Sequence, residues 1–366
     1  MAGGAVTEGS LAAGRRRFHT LDGMRGIAAV MIVLLHTQEY SAPFSWPGSY
    51  LAVDLFFVLS GVVLAEAYGG KLAQGMGLKN FLALRLIRLY PLYLAGTLLG
   101  LLPPLMVLWR GSNPLHWTGG QVATGLAFGL AMAPCGIQGN LFPLLRPAWS
   151  LFYELLANLG WASSGGSRLR GAALGLPMAL AAAVLAACAH QRHSLDFGAE
   201  IGWSTAAVAL ARVVYSFGMG LCLHRWNRPG LPRFPALLLL AATLALLALG
   251  PPAGARGAYD LAAVLGLFPG LVLLAMATEP TSRFGLWLCT LMGAASYPLY
   301  VIHPGIFLIL RGVSRQVLHQ DPYALAPWPG LGLAALLIGL AWAADRCYDQ
   351  PVRRWLMARW KGRSAA

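Results

Sequence analysis

The stretch Leu21-Asp22-Gly23-Met24-Arg25-Gly26, followed by the apolar run Ile27 to Leu35 and then His36, decides the fold. It sets an arginine and a histidine, both costly in hydrocarbon, at the two ends of one hydrophobic helix. Eleven positions separate them. At 100° per residue the chain returns to within about 20° of the starting face after a rise of ~16 Å. The two side chains therefore look into one interior. Taken singly, a snorkelling arginine and a histidine at a helix end are ordinary features of a membrane span.

The rest of the chain is equally apolar. Over 366 residues it is 57% hydrophobic and 11% charged, with a mean hydropathy of +0.61. That excludes an ordinary soluble domain and implies a polytopic membrane protein with room for ten or eleven spans. The formal charge of +14 marks cytoplasmic loops and tails in such a protein, so no nucleic-acid partner is expected. Arg15-Arg16-Arg17 ahead of an apolar run imitates a signal peptide, but no small-residue cleavage site follows and the helix is read as retained. Five scattered cysteines without a CxxC pair point to neither a disulfide framework nor a zinc site.

Hydrophobic segments fall at about 24–41, 49–68, 83–108, 119–135, 148–163, 171–189, 202–223, 235–250, 260–277, 285–310 and 328–346. If all eleven cross, 13 Lys and Arg lie on each side, with Arg212 inside its span. If the glycine-rich segment 119–135 does not cross, 20 gather inside and 6 outside. The positive-inside rule therefore predicts an all-α bundle of ten crossings plus one re-entrant or peripheral helix, with both termini cytoplasmic. Residues 1–20 then form a basic N-terminal tail, 21–350 the transmembrane domain and 351–366 a basic C-terminal tail.

Several polar residues inside these segments need explanation. Asp54 opens the second segment, where a helix start or a functional carboxylate is an equal reading. Arg85 and Arg88, ahead of Tyr90-Pro91, share a helix face at the membrane boundary and suit the oxygens of a phosphate. Trp149, Ser150 and Glu154 cluster at the start of the fifth segment, Ser150 and Glu154 one turn apart. Trp149 alone would serve as an interfacial belt residue, whereas an intramembrane glutamate usually has a functional reason. Arg212, mid-span, needs an anionic partner, either a carboxylate of the protein or a ligand phosphate. In the tenth span Ser296, Tyr300 and His303 share a face beside Tyr297, and Pro298 and Pro304 free backbone carbonyls. With ten crossings, His36, Asp54, Glu154 and His303 all lie roughly 6–11 Å from the outer surface. Arg25, Arg85 and Arg88 collect at the inner boundary instead.

These elements, in this order, resemble the acyltransferase 3 family of integral membrane acyltransferases from about Leu21 to Arg353. The resemblance rests on Leu21 to Gly26 with Arg25 and His36, on Val53-Asp54-Leu55-Phe56-Phe57-Val58-Leu59-Ser60-Gly61, and on the Arg85/Arg88 pair. It continues through Trp149-Ser150-Leu151 with Glu154, Arg212 ahead of Phe217-Gly218-Met219, and Ser296-Tyr297-Pro298-Leu299-Tyr300 with His303. One departure is Leu155-Leu156-Ala157-Asn158 after Glu154, where many members continue with aromatic residues. The resemblance implies transfer of an acyl group, commonly acetyl, from cytoplasmic acyl-coenzyme A to a hydroxyl of a carbohydrate or glycoconjugate, outside a bacterial cytoplasmic membrane. It also implies that Arg25 and His36 are essential and that Arg85 and Arg88 handle the donor.

Ester formation needs a base, and neutral histidine suits the task. His36 is the expected base, or alternatively the carrier of the acyl group. Glu154 or Asp54 would orient it, and His303 with Tyr297 or Tyr300 would position the acceptor or donate to the oxyanion. Arg212 is grouped with the donor-binding arginines, and Trp149 and Ser150 with the acceptor. No metal is expected, because the histidines and carboxylates come from separate spans without HxxH spacing. A proton-coupled exporter would use the same intramembrane groups, but would need no acyl-coenzyme A.

Overall fold

The computed structural model describes residues 17–111, 116–166, 172–226, 230–251, 253–316, 319 and 322–365. Most of the expected N-terminal tail, with Arg15 and Arg16, and the loop residues Arg168, Arg170 and Arg228 lie outside them. Each of the eleven hydrophobic segments is a helix: α1 (His19–His36), α2 (Ala52–Ala73), α3 (Leu78–Arg110), α4 (Gly119–Leu130), α5 (Ala148–Ser163), α6 (Ala172–Arg192), α7 (Trp203–Trp226), α8 (Ala236–Ala248), α9 (Arg256–Met276), α10 (Arg283–Gln316) and α11 (Trp328–Ala344). Among the described residues the only strand-like pairing is two isolated bridges, Ile137 with Asn140 and Asn140 with Glu200. A twelfth helix, α12 (Gln350–Ala365), continues α11 through a π turn at Asp345–Asp349. The expected C-terminal tail is therefore helical and packs on α3.

Among the described residues seven helices are long and apolar enough to cross a membrane: α2, α3, α6, α7, α9, α10 and the α11–α12 rod. α4, expected not to cross, has 12 residues, or ~18 Å against ~30 Å of hydrocarbon. It begins at a capping box between Thr118 and Gln121. Its last carbonyls are taken up by α3, with Tyr90 Oη donating to Leu130 O (2.8 Å) and Tyr93 Oη to Gly129 O (2.7 Å). α5 and α8, with 16 and 13 residues, are also shorter than the bilayer core. Length and apolar composition together thus give seven candidate spans among the described residues, where the charge distribution predicts ten.

The middle of the bundle is α1 packed on α10 and α2 packed on α7. Both contacts need missing side chains. A Cβ on Gly61 of α2 would strike the Phe217 carbonyl of α7, and one on Gly220 of α7 would strike the Val58 carbonyl of α2. Small residues on both sides let the backbones touch, which is how helices associate where lipid removes the hydrophobic driving force. Gly26 against Met292 and Gly293 against Asp22 do the same for α1 and α10. α3 covers the other side of α10, α5 and α6 cover α7, and α8 flanks α1. The polar residues singled out above fall on the faces these helices turn towards one another.

Candidate active site

Two cavities lie end to end inside the bundle. The first is an arginine pocket lined by Arg25, Arg85, Arg88, Ser60, Glu154 and Tyr297 among apolar side chains of α2 and α3. Each arginine is held by a carboxylate. Arg25 Nη2 donates to Asp22 Oδ1 (2.8 Å) one turn earlier and to Gly293 O (2.9 Å), while its Nε donates to Ser296 Oγ (2.9 Å). The close α1–α10 approach at Gly26 and Gly293 puts those α10 acceptors within reach.

Arg85 Nη2 donates to Glu154 Oε1 (3.2 Å), which also accepts from Ser60 Oγ (2.6 Å). Asn158, fully buried one turn after Glu154, takes a further bond from Arg85 (3.3 Å) in the amide orientation that satisfies both groups. Arg88 Nη1 donates to Asp349 Oδ2 (3.3 Å) and lies 5.5 Å over the Tyr297 ring. Asp349 also pairs with Arg353 of α12 (2.9 Å). The π turn ahead of α12 thus delivers a buried carboxylate to the pocket's edge.

The second cavity is a histidine chamber lined by His36, Trp149, Arg212, Asp196, Glu200, Tyr50 and Arg146. His36 Nδ1 lies 2.9 Å from His303 Nε2, and His303 Nδ1 lies 2.9 Å from Leu299 O one turn back along α10. His36 stays open to the chamber whereas His303 is wholly buried. Arg212 is 1% and Asp54 0% exposed. Arg212 Nη2 donates to Asp54 Oδ2 (2.6 Å), its Nε reaches both carboxylate oxygens, and its remaining bonds go to Phe197 O and Tyr50 O. The Trp149 ring lies 5.5 Å from this guanidinium. A buried pair so fully bonded carries its desolvation cost within itself. Asp196, in the loop before α7, has its carboxyl pushed up by desolvation, which Arg212 and Arg256 oppose. Arg146 and Glu200 pair across the rim at 3.0 Å.

One side chain belongs to both cavities. Tyr300 lines the arginine pocket and the histidine chamber. Its hydroxyl meets Ser150 Oγ at 2.7 Å and donates to Pro147 O at 3.2 Å, and Phe56 packs edge-on against its ring. Tyr300 is thus the side chain at which the cavities meet, with Ser150 and Phe56 against it on the arginine-pocket side.

The structure therefore brings Arg25, Arg85, Arg88, Ser150 and Tyr297 into one pocket and His36 and Trp149 to the other cavity, with Tyr300 lining both and His303 buried behind His36. It separates three residues from their expected partners. Glu154, placed by depth with His36, turns to Arg85 and Ser60, because a carboxylate in an apolar interior settles on the nearest cation. Asp54 does not orient His36, since Arg212 occupies its oxygens. Arg212 is not with Arg85 and Arg88; its anionic partner is the protein's own Asp54.

Ser60, Asn158, Asp349, Arg353 and Asp196 were not singled out from sequence. Ser60 lay in the quoted second segment, and two aspartates four residues apart at the end of the last span were a signal for Asp349. Among the described residues no group of three or more His, Cys, Asp and Glu is arranged to hold a metal.

A family model described as an acyltransferase domain matches residues 18–346. Protein 2 in the picA locus of Rhizobium radiobacter is 43% identical over 167 residues, which are 41% of this chain and 83% of that protein. A putative membrane-bound transacylase, BcsY, of Komagataeibacter xylinus is 26% identical over 328 residues, covering 80% of this chain and 74% of its own length. No solved structure matches. The family model takes in both cavities and every helix from α1 to α11, and the chain, a multi-pass membrane acyltransferase, belongs to the acyltransferase 3 family.

Proposed function

We propose that the protein moves an acyl group, acetyl foremost, from cytoplasmic acyl-coenzyme A to a hydroxyl of a carbohydrate or glycoconjugate at the outer face of a bacterial cytoplasmic membrane. The observation that carries this reading is the shared wall. A cationic pocket and a chamber holding an exposed imidazole have the Tyr300 side chain as a common lining residue, with its Ser150 partner on the pocket side. A donor with a phosphorylated end and a reactive thioester end fits a pocket with arginines at its edge and a base beyond its far wall. A relative described as a membrane-bound transacylase supports the same chemistry.

In this mechanism Arg85 and Arg88, with Arg25 beside them, hold the phosphates through charge-assisted hydrogen bonds. His36 takes the proton of the acceptor hydroxyl as that oxygen attacks the thioester carbon. Trp149, Asp196 and Glu200 offer the acceptor an aromatic edge and two carboxylates on the chamber wall. Tyr297, under Arg88, fixes the guanidinium, its own hydroxyl being tied to Leu89 O.

The test is coenzyme A release from radiolabelled acetyl-coenzyme A by the purified protein in lipid, with His36→Ala and the double variant Arg85→Ala/Arg88→Ala alongside. Turnover or label transfer lost in the variants supports the reading. Absence of binding and turnover with every acyl-coenzyme A, in a folded protein supplied with acceptor glycans, overturns it in favour of an exporter.

A further inference from the structure

We propose that His303 is a positioning residue that holds His36 as its Nδ1–H tautomer, so that His36 Nε2 is the unprotonated atom offered to the chamber. The use of that atom as a base rests on the acyltransferase reading; the tautomer does not.

The argument starts from an atom that can only accept. His303 Nδ1 is 2.9 Å from the carbonyl oxygen of Leu299. A carbonyl has no proton to give, so Nδ1 carries the hydrogen. His303 is fully buried, bonded to this carbonyl and to His36, and meets no carboxylate among the described residues. A charged ring without an anionic partner is costly there, so the ring is neutral and has one N–H. Its Nε2 therefore presents a lone pair.

That lone pair faces His36 Nδ1 at 2.9 Å. Two bare nitrogens would repel at this distance, so His36 Nδ1 carries a hydrogen and donates it. The rings, 5.1 Å apart at their centres and 24° from coplanar, meet edge to edge, as an in-plane N–H···N bond requires. One protonation order satisfies the whole chain: His36 Nδ1–H donates to His303 Nε2, and His303 Nδ1–H donates to Leu299 O. His36 Nε2 is left bare. The partner of one ring nitrogen has chosen the state of the other.

The consequence for transfer is specific. The acceptor hydroxyl gives its proton to His36 Nε2 as its oxygen bonds the acyl carbon. The carbon–sulfur bond breaks, and the same proton passes from Nε2 to the departing thiolate, which restores the neutral ring. Nδ1–H stays on His36 throughout and steadies the transient imidazolium against the His303 lone pair. In hydrolase triads a carboxylate fills this place. A neutral imidazole there holds the imidazolium less tightly, which favours handing the proton on to sulfur.

The first measurement is nitrogen-15 magnetic resonance of the full-length protein in lipid at neutral pH, with histidines labelled and His36 identified by its loss in His36→Gln. The expected spectrum has a protonated Nδ1 and a bare Nε2 on His36, with a through-bond coupling from His36 Nδ1 to His303 Nε2. A protonated Nε2 with a bare Nδ1 overturns the proposal. The second measurement compares His303→Phe, which cannot accept a hydrogen bond, with His303→Gln, whose carbonyl can. His303→Phe should lose about a hundredfold in kcat at unchanged KM for the acyl donor, and His303→Gln should stay within about tenfold of wild type. Equal losses in the two folded variants overturn the positioning role. The two readings fail separately. An Nδ1–H His36 in a protein that turns over no acyl donor removes the function and leaves the tautomer, and turnover with the opposite tautomer does the reverse.

Discussion

The arginine pocket ties each of its cations to a carboxylate, whereas the histidine chamber pairs its exposed ring with another ring. Arg25, Arg85 and Arg88 lean on Asp22, Glu154 and Asp349. The chamber's own strong cation, Arg212, is consumed by Asp54 in a fully buried pair. The difference teaches what each region is built to keep. On the proposed reading, part-buried ion pairs hold the guanidinium groups in place until the donor's phosphates arrive, and the pocket works by exchange of partners. On the same reading, the chamber suits a base that stays uncharged between turnovers. Tyr300, touching both, is where the two arrangements have to meet.

The sharpest way to break this comparison is to remove the chamber's base. His36→Ala should lower transfer by about 10²- to 10⁴-fold, the contribution of a positioned general base. Coenzyme A release should show it, with donor binding and expression retained. Normal turnover in His36→Ala would place the chemistry elsewhere. Next in size is an effect on the fold rather than on the reaction. Arg212→Met leaves Asp54 buried without a partner and should cost about 3–5 kcal/mol of stability, visible as a lowered thermal midpoint in detergent. Asp54→Leu combined with Arg212→Met should recover most of that loss, because the desolvation cost disappears with both charges. A single variant as stable as wild type would show that the pair is not structural.

Much of this arrangement was legible in the sequence. The eleven hydrophobic segments became eleven helices, and the short glycine-rich segment became a helix of 12 residues. Periodicity along a single helix put Arg25 and His36 on one face and Ser296, Tyr300 and His303 on another. What sequence did not supply was how helices are rotated and offset against one another. Glu154 was placed by its depth from one helix end, but its partner was fixed by α5 packing where Ser60 of α2 and Arg85 of α3 converge. Arg212 found Asp54 because Gly61 and Gly220 let α2 and α7 touch, which no local pattern announces. Asp349 reaches Arg88 only through a π turn, a departure from the regular repeat on which face arguments depend.

Within the pocket, arginines that hold the donor as proposed should separate from the chamber in kinetic terms. Arg85→Ala removes a charged hydrogen-bond donor and should raise donor KM by roughly tenfold to a hundredfold, equivalent to about 1.5–3 kcal/mol, with a smaller effect on kcat. Initial rates against acetyl-coenzyme A concentration distinguish the two parameters. If kcat fell instead and KM held, Arg85 would be acting on the reacting atoms, and the division of labour between the cavities would fail.

The smallest expected effect tests the idea of exchange itself. Asp349 is wholly buried and holds Arg88 from one side and Arg353 from the other. If Arg88 must leave this carboxylate to meet a phosphate, then Asp349 competes with the donor. Asp349→Asn keeps an oxygen of the same shape but removes the negative charge, so the pocket becomes more positive and Arg88 easier to recruit. Donor KM should fall by roughly two- to fivefold, about 0.5–1 kcal/mol for a pair with one partly exposed partner, while kcat stays level. Added salt should shrink the difference between the two proteins, because the gain is electrostatic. A rise in KM would mean the opposite: that Asp349 aims Arg88 at the donor and is needed in place, so that the pocket works by fixed geometry rather than by exchange.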